Sequence, residues 1–203
     1  MYAVWLKSEL FRVKPDLAVE QIKLIEQPDL YNSQENDARE NLIFNIYGRS
    51  AILNVIPSPL DWFEGEIEDT DIDNIFILPV FDWYLDTGST FQLKNVPKHL
   101  SPTRGYRLNN DPPVVVHHHS KIEEMSKDAS LNTNDVVIIS SSQQNKPLTI
   151  IDGTHRASIL AKNNQLVGAK VYFGVGNGLQ DCIWSVERRD FQQHLFNLQQ
   201  MVQ

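Results

Sequence analysis

The chain has 203 residues, of which 41% are hydrophobic, and its formal net charge at pH 7 is −8. This length and apolar content are typical of a folded protein with one sizeable core or two small ones. The acidic balance disfavours a mainly electrostatic grip on nucleic acid, because such proteins carry clustered lysine and arginine. We expect no membrane span, since no window approaches about 18 consecutive apolar residues, and a cytoplasmic protein, since no signal-peptide pattern opens the chain.

Residues 1–110 are predicted to form a mainly helical, acidic region that packs on the remainder, residues 111–203. Helical spacing of apolar residues predicts one helix over 17–27 and a longer one over 36–56 that ends at two prolines. The acidic run at 64–73 is interpreted as a solvated face or loop. The alternative, a carboxylate metal site, lacks the glycine-centred spacing of an EF-hand.

The middle of the chain changes character twice. An apolar, aromatic segment at 75–85 is predicted to be buried, as a strand or as part of a helix. A stretch rich in proline, asparagine and glycine follows at 95–113, and it indicates a boundary or a functional loop.

From residue 113 onward, strand-like and helix-like segments alternate. The run PVVVHHH (113–119) indicates a short strand, and 120–131 a helix with Ser120 at its N-cap and Glu123 completing a capping box. The remaining predicted elements are strands at 135–141, 148–152 and 169–175, a helix at 154–165 and a terminal amphipathic helix at 184–202. We therefore predict an α/β (α+β) protein whose second half contains a small mixed sheet.

The sequence Asp152-Gly153-Thr154-His155-Arg156 stands where a predicted strand turns into a helix. The first amides of a helix lack intrahelical partners and form the positive end of its dipole, so this turn suits an anion. Gly153 permits close approach of a ligand, and Thr154 supplies a hydroxyl. His155 supplies a donor or a proton-transfer group, and Arg156 a bidentate contact to phosphate.

The same five residues also have a structural interpretation. Asp152 and Thr154 then cap the helix, Arg156 pairs with an acid, and His155 is a half-buried polar residue. Capping gives no reason for a histidine beside an arginine. The residues alone leave both interpretations open.

The run from 136 to 175, with the helix before it, resembles the core of the ParB/sulfiredoxin superfamily. In that family a strand, a turn, a second strand ending in a Gly-x-His/Arg-Arg box, a helix and another strand follow in this order. The box holds CTP in ParB partition proteins, ATP in sulfiredoxins, and ATP or ADP in free serine kinases. The resemblance implies a phosphate site lined by Gly153, Thr154, His155 and Arg156.

Within the superfamily, the box Asp-Gly-x-His-Arg is most similar to that of the free serine kinase branch. Sulfiredoxin chemistry is disfavoured, because it needs a cysteine where this chain has Thr154. Chromosome partitioning is disfavoured too, because few residues follow position 175 and ParB proteins continue there with a DNA-binding helix-turn-helix.

The resemblance therefore implies an ATP- or ADP-binding protein that uses Mg²⁺ in phosphoryl transfer to a small hydroxyl-bearing molecule. Asp152 and His155 are the candidate catalytic residues, and Glu123 and Glu124 are weaker candidates for the carboxylate. One alternative is a non-catalytic nucleotide-binding or protein-interaction module. A second is a DNA-binding or nuclease protein. The acceptor and the oligomeric state are left open.

Two further features have structural explanations that we favour. His117, His118 and His119 invite a metal hypothesis, with His99 or His155 completing the ligands, but a polar strand end explains them without a metal. The single cysteine, Cys182, cannot form an internal disulfide and is interpreted as a small buried hydrophobe.

Overall fold

A computed structural model describes Leu6, residues 17–27, Asp29 and the ranges 31–45, 60–108, 112–127, 136–140, 147–178 and 181–202. The described helices are α1 (Val19–Glu26), α2 (Ser33–Asn45), α3 (Phe81–Tyr84), α4 (Val96–His99), α5 (His118–Ser126), α6 (Thr154–Lys162) and α7 (Phe191–Val202). The described strands are β1 (Asp61–Glu66), β2 (Ile75–Ile77), β3 (Arg104–Arg107), β4 (Pro113–Val116), β5 (Val136–Ser140), β6 (Leu148–Asp152) and β7 (Lys170–Val175). Short 3₁₀ helices lie at Asp69–Asn74 and Leu93–Asn95.

A five-stranded mixed sheet, in the order β1-β7-β5-β6-β2, forms the centre of the fold. The pairs β5–β7 and β2–β6 are parallel, whereas β1–β7 and β5–β6 are antiparallel. Strands β3 and β4 form a separate antiparallel ribbon. The predicted mixed class of helices and small sheets is therefore confirmed.

This sheet takes strands from both sides of residue 110, where the boundary is predicted. Strand β1 pairs with β7 along its whole length, and β2 pairs with β6. The acidic run at 64–73 forms the end of β1, a short connection and most of a 3₁₀ helix, and the apolar segment at 75–85 begins as β2 and continues into α3. Acidic side chains suit β1 because it is one of the two edge strands of the sheet, where charge discourages further strand pairing.

The largest apolar core joins one face of the sheet to helices α5, α6 and α7. Ile75, Ile77 and Ile150 from the sheet and Ile122 from α5 all have 0% exposure. Successive side chains of a strand point to opposite faces, and Ile151 accordingly packs with a different set of residues from Ile150. The helix that follows β6, whose first residues belong to the predicted phosphate box, is thus held against the sheet.

The segment after β4 is a helix, and the prediction that the three histidines continue the strand is wrong. Strand β4 ends at Val116, where its pairing with β3 also ends. Since backbone polar groups need partners, the chain turns at His117 and α5 begins at His118. Ser120 therefore lies inside the helix instead of at its N-cap, and its hydroxyl donates to the Pro102 carbonyl at 3.0 Å.

Most other predicted elements are present, some with different ends. The predicted strands at 135–141, 148–152 and 169–175 and the helix at 154–165 correspond to β5, β6, β7 and α6. Helix α6 ends at Lys162, and Asn164 after it has the left-handed φ of 56° that suits a helix exit. The terminal helix is shorter than predicted, because α7 begins at Phe191 and the residues before it form turns.

Two predicted helices extend beyond the described part of the chain. The helix predicted at 36–56 begins at Ser33 and is described to Asn45, so the rest of its predicted range lies outside the described residues. The predicted end of α5 near residue 131 also lies outside them. None of the helices in the described ranges has the length and apolar character needed to cross a membrane.

Cys182 is buried, at 3% exposure, and packs against Ile151, which confirms its interpretation as a small buried hydrophobe. Burial raises the pKa of the Cys182 thiol, so at a given pH the folded protein contains less of the reactive thiolate than the unfolded chain does. We expect slow reaction with a thiol-specific disulfide reagent in the native protein and rapid reaction in urea. Native protein that reacts as fast as the urea-unfolded chain would contradict this burial.

Candidate functional site

The predicted phosphate box folds as a strand end, a left-handed glycine and a helix start. Strand β6 ends at Asp152, Gly153 has a φ of 84°, and α6 begins at Thr154. A φ in this range favours glycine, because the Cβ of other residues meets the backbone there. Gly153 also occupies the N-cap position and has no side chain with which to cap the first amides of α6.

Arg156 pairs with Asp152 across the first turn of α6. Its Nη2 lies 2.6 Å from Oδ2 of Asp152, and each side chain is 11% exposed. An acid partner for Arg156 is what the structural interpretation predicts. The pair also puts a guanidinium and a carboxylate side by side where a phosphate is predicted to bind, so a phosphate would compete with Asp152 for Arg156.

A second polar group, centred on Asp86, lies beside the box. Asp86 is 2% exposed, and its Oδ2 lies 2.9 Å from Nδ1 of His118. The other oxygen, Oδ1, lies 3.5 Å from Nη1 of Arg104. A buried carboxylate requires such partners, because an unpaired buried charge is costly. Asp86 therefore fixes the His118 ring with Nδ1 toward the carboxylate and Nε2 turned away.

Aromatic rings join this group to the box. Trp83 stacks on His118, with ring centroids 3.8 Å apart and an interplanar angle of 11°. The ring of His155 lies 5.3 Å from that of Trp83 and 5.4 Å from that of His118, centroid to centroid. His155, a predicted site residue, thus belongs to the same cluster as the Asp86–His118 pair.

The buried carboxylate sits on a tight turn that follows α3. Thr87 has 0% exposure, and its hydroxyl donates to the Trp83 carbonyl at 2.8 Å and accepts from the Phe91 amide at 3.0 Å. Gly88 has a φ of 62°, and a Cβ there would lie 2.6 Å from Nε2 of His99. One buried hydroxyl and one glycine therefore set the shape of this turn.

Thr87→Val is expected to destabilise the protein by about 1–3 kcal/mol, because valine keeps the volume but leaves the Phe91 amide without its buried acceptor. Denaturant unfolding of both proteins measures this difference. Thr70→Val is the matched control, since Thr70 is exposed and the change should be small. Equal stability of the Thr87 variant and the wild type would show that the hydroxyl does not hold the turn.

Glu123 is engaged near the end of α6 that lies away from the box. Glu123 pairs with Lys162, and the hydrogen bond and charge of that ammonium lower the pKa of Glu123. Lys162 lies roughly 12 Å along α6 from Thr154, at about 1.5 Å of rise per residue. Glu124 is exposed on α5.

The histidines do not assemble a metal site in the part of the chain that the structure describes, where no three His, Cys, Asp or Glu side chains are grouped to hold an ion. His118 faces Asp86, His119 lies 3.8 Å from Glu123, and His99 lies against Gly88. Each of these histidines thus has a protein neighbour of its own.

The buried hydroxyl of Tyr106 lies near the ion pair of Asp86 and Arg104. The Arg104 side chain is the polar neighbour of this hydroxyl, and the ring meets Phe81 edge-on at 5.4 Å. Burial raises the pKa of Tyr106, the charge of Asp86 adds to the rise, and Arg104 opposes it.

The residues around Asp86 were not predicted as a site. The sequence signal for Asp86 is the segment FDWYLDTGS (81–89), in which an apolar run ends at Asp-Thr-Gly. Arg104 and Tyr106 belong to the proline- and glycine-rich stretch that was predicted as a boundary or functional loop. For His118 the sequence indicates only the metal hypothesis.

No family model matches the chain, and no curated protein or solved structure matches it. The resemblance to the ParB/sulfiredoxin superfamily thus stays a prediction. The function of the chain is therefore inferred from the site itself.

Proposed function

We propose that this protein binds ATP or ADP with Mg²⁺ at the start of α6 and transfers a phosphoryl group to a small hydroxyl-bearing molecule. The observation that carries the proposal is the turn from β6 through Gly153 into α6, which puts Arg156 and Asp152 beside the first amides of the helix. Within the box, the carboxylate of Asp152 and the proton-transfer group of His155 are the candidate catalytic groups.

The start of α6 supports the binding of phosphate in two ways. The partial positive charge at a helix N-terminus favours an anion, and a glycine at the N-cap lets a phosphate approach the backbone. Arg156 adds a guanidinium that suits paired phosphate oxygens. When phosphate binds, Arg156 exchanges its contact with Asp152 for one with the ligand.

The exchange leaves Asp152 beside the bound phosphates. Nucleotide sites commonly hold Mg²⁺ with one or two carboxylates in addition to the phosphates. Asp152 fits this need and would be the ligand from the box, with Mg²⁺ supplying neutralisation of the phosphate charge. The Arg156–Asp152 pair is therefore compatible with the nucleotide hypothesis as well as with a structural role.

Calorimetric titration of ATP, ADP and CTP, with Mg²⁺ and without, tests the binding half of the proposal. We expect saturable binding of ATP or ADP. Assays of transfer from ATP to hydroxyl compounds such as L-serine, ethanolamine and glycerol test the catalytic half. Binding without transfer would assign the site to a non-catalytic nucleotide-binding module, and no binding of any nucleotide to folded protein would contradict the proposal.

A further inference from the structure

The Asp86–His118 pair has the geometry of an oriented base. Asp86 is almost completely buried, and its carboxylate holds Nδ1 of His118 at 2.9 Å. An ionised carboxylate only accepts hydrogen bonds, so Nδ1 carries the hydrogen that faces Asp86, and in a neutral imidazole Nε2 then holds the lone pair on the other side of the ring. The His118 side chain is 12% exposed, which lets part of the ring meet a ligand.

The neighbours of the pair fix it in place. The stacked indole of Trp83, itself 5% exposed, sets the plane of the His118 ring. Arg104 pairs with the second oxygen of Asp86, so both oxygens are occupied. A base that is held in position before the substrate arrives loses little entropy in the reaction.

We propose that His118, oriented by Asp86, accepts the proton of the attacking hydroxyl group. This inference rests on the proposed function, since it assigns the base for phosphoryl transfer at the start of α6. The separation of 5.4 Å between the rings of His118 and His155 places the base beside the box. Of the two carboxylates on the same helix, Glu123 is instead occupied by Lys162, and Glu124 is exposed.

The step balances with ATP as the only co-reactant. The acceptor oxygen forms a bond to the γ-phosphorus, and the bond from that phosphorus to the β,γ-bridging oxygen breaks. The hydroxyl proton moves to Nε2 of His118, and the electron pair of the broken bond leaves with ADP. The imidazolium that forms is stabilised by the carboxylate of Asp86 and then returns its proton to water.

His118→Asn tests the proposal, because the asparagine amide keeps a donor near the position of Nδ1 and removes Nε2. Transfer of a labelled γ-phosphoryl group from ATP to L-serine, ethanolamine, glycerol and water is measured alongside calorimetric binding of MgATP. We expect the transfer rate to fall about 100- to 10,000-fold, while the affinity for MgATP is unchanged. Added imidazole is expected to restore part of the rate in His118→Ala.

His119→Asn is the matched control, since His119 is the next residue of α5 and contacts Glu123 instead of Asp86. It should transfer at the wild-type rate. If His118→Asn does so as well, the base is wrongly assigned while the proposed function stands. If the wild type binds MgATP but transfers to none of the acceptors, the base is overturned and only the binding site survives. If the wild type binds no MgATP, the proposed function itself is wrong.

Discussion

Arg156→Ala is expected to weaken the binding of MgATP about 10- to 100-fold, which corresponds to roughly 1.5–3 kcal/mol for a charge-assisted contact. The same change removes an ion-pair partner of Asp152, whose side chain is 11% exposed, so the melting temperature should fall as well. Calorimetry and thermal unfolding of one protein preparation measure the two effects together.

Arg188→Ala is the control for the loss of an arginine ion pair. Arg188 makes two contacts with Asp190, at 2.6 and 2.8 Å, and lies outside the box. Its removal should leave the affinity for MgATP unchanged. If Arg156→Ala lowers the melting temperature but binds MgATP as the wild type does, Arg156 has only the structural role of pairing with Asp152.

A fragment of residues 1–110 is expected not to reach its native structure. Strand β1 pairs with β7, and β2 pairs with β6, so both strands lose their hydrogen-bonding partners in the fragment. Ile75 and Ile77, each at 0% exposure in the whole chain, would also lose the core that they share with Ile150. Each of these losses reduces a net stability that is only about 5–15 kcal/mol for a typical domain.

Hydrogen exchange measures the outcome for the fragment. Amides of β1 and β2 should exchange without protection in residues 1–110 and slowly in the whole chain, which is the control. A protease-resistant fragment that melts cooperatively, with those amides protected, would show that the first part of the chain folds by itself.

The elements that could be predicted are those whose patterns are local. Strands β5, β6 and β7 and helix α6 have clear apolar periodicity and turn residues at their ends. Strand β1 could not be predicted, because its acidic side chains face solvent and its partner lies far along the chain. The start of α5 was missed for a related reason, since the end of the β3–β4 pairing decides where the strand stops.

The candidate site likewise has one part that the sequence predicts and one part that it does not. Asp152 to Arg156 are consecutive in the sequence, so their residue types and order predict an anion site without the structure. Asp86 and His118 are 32 positions apart, and only the fold brings the carboxylate to the imidazole. An aspartate or a histidine in a sequence does not by itself predict that the two side chains form a pair. The Asp86–His118 part of the site therefore becomes visible only in the structure.

Amide NMR spectra of the protein during titration with MgATP test the central claim most directly, because they locate the ligand on the chain. The largest shifts are expected at the amides of Thr154, His155 and Arg156, and adenosine, which lacks phosphates, should not reproduce them. Shifts that concentrate elsewhere, or equal shifts with adenosine, would contradict a phosphate site at the start of α6.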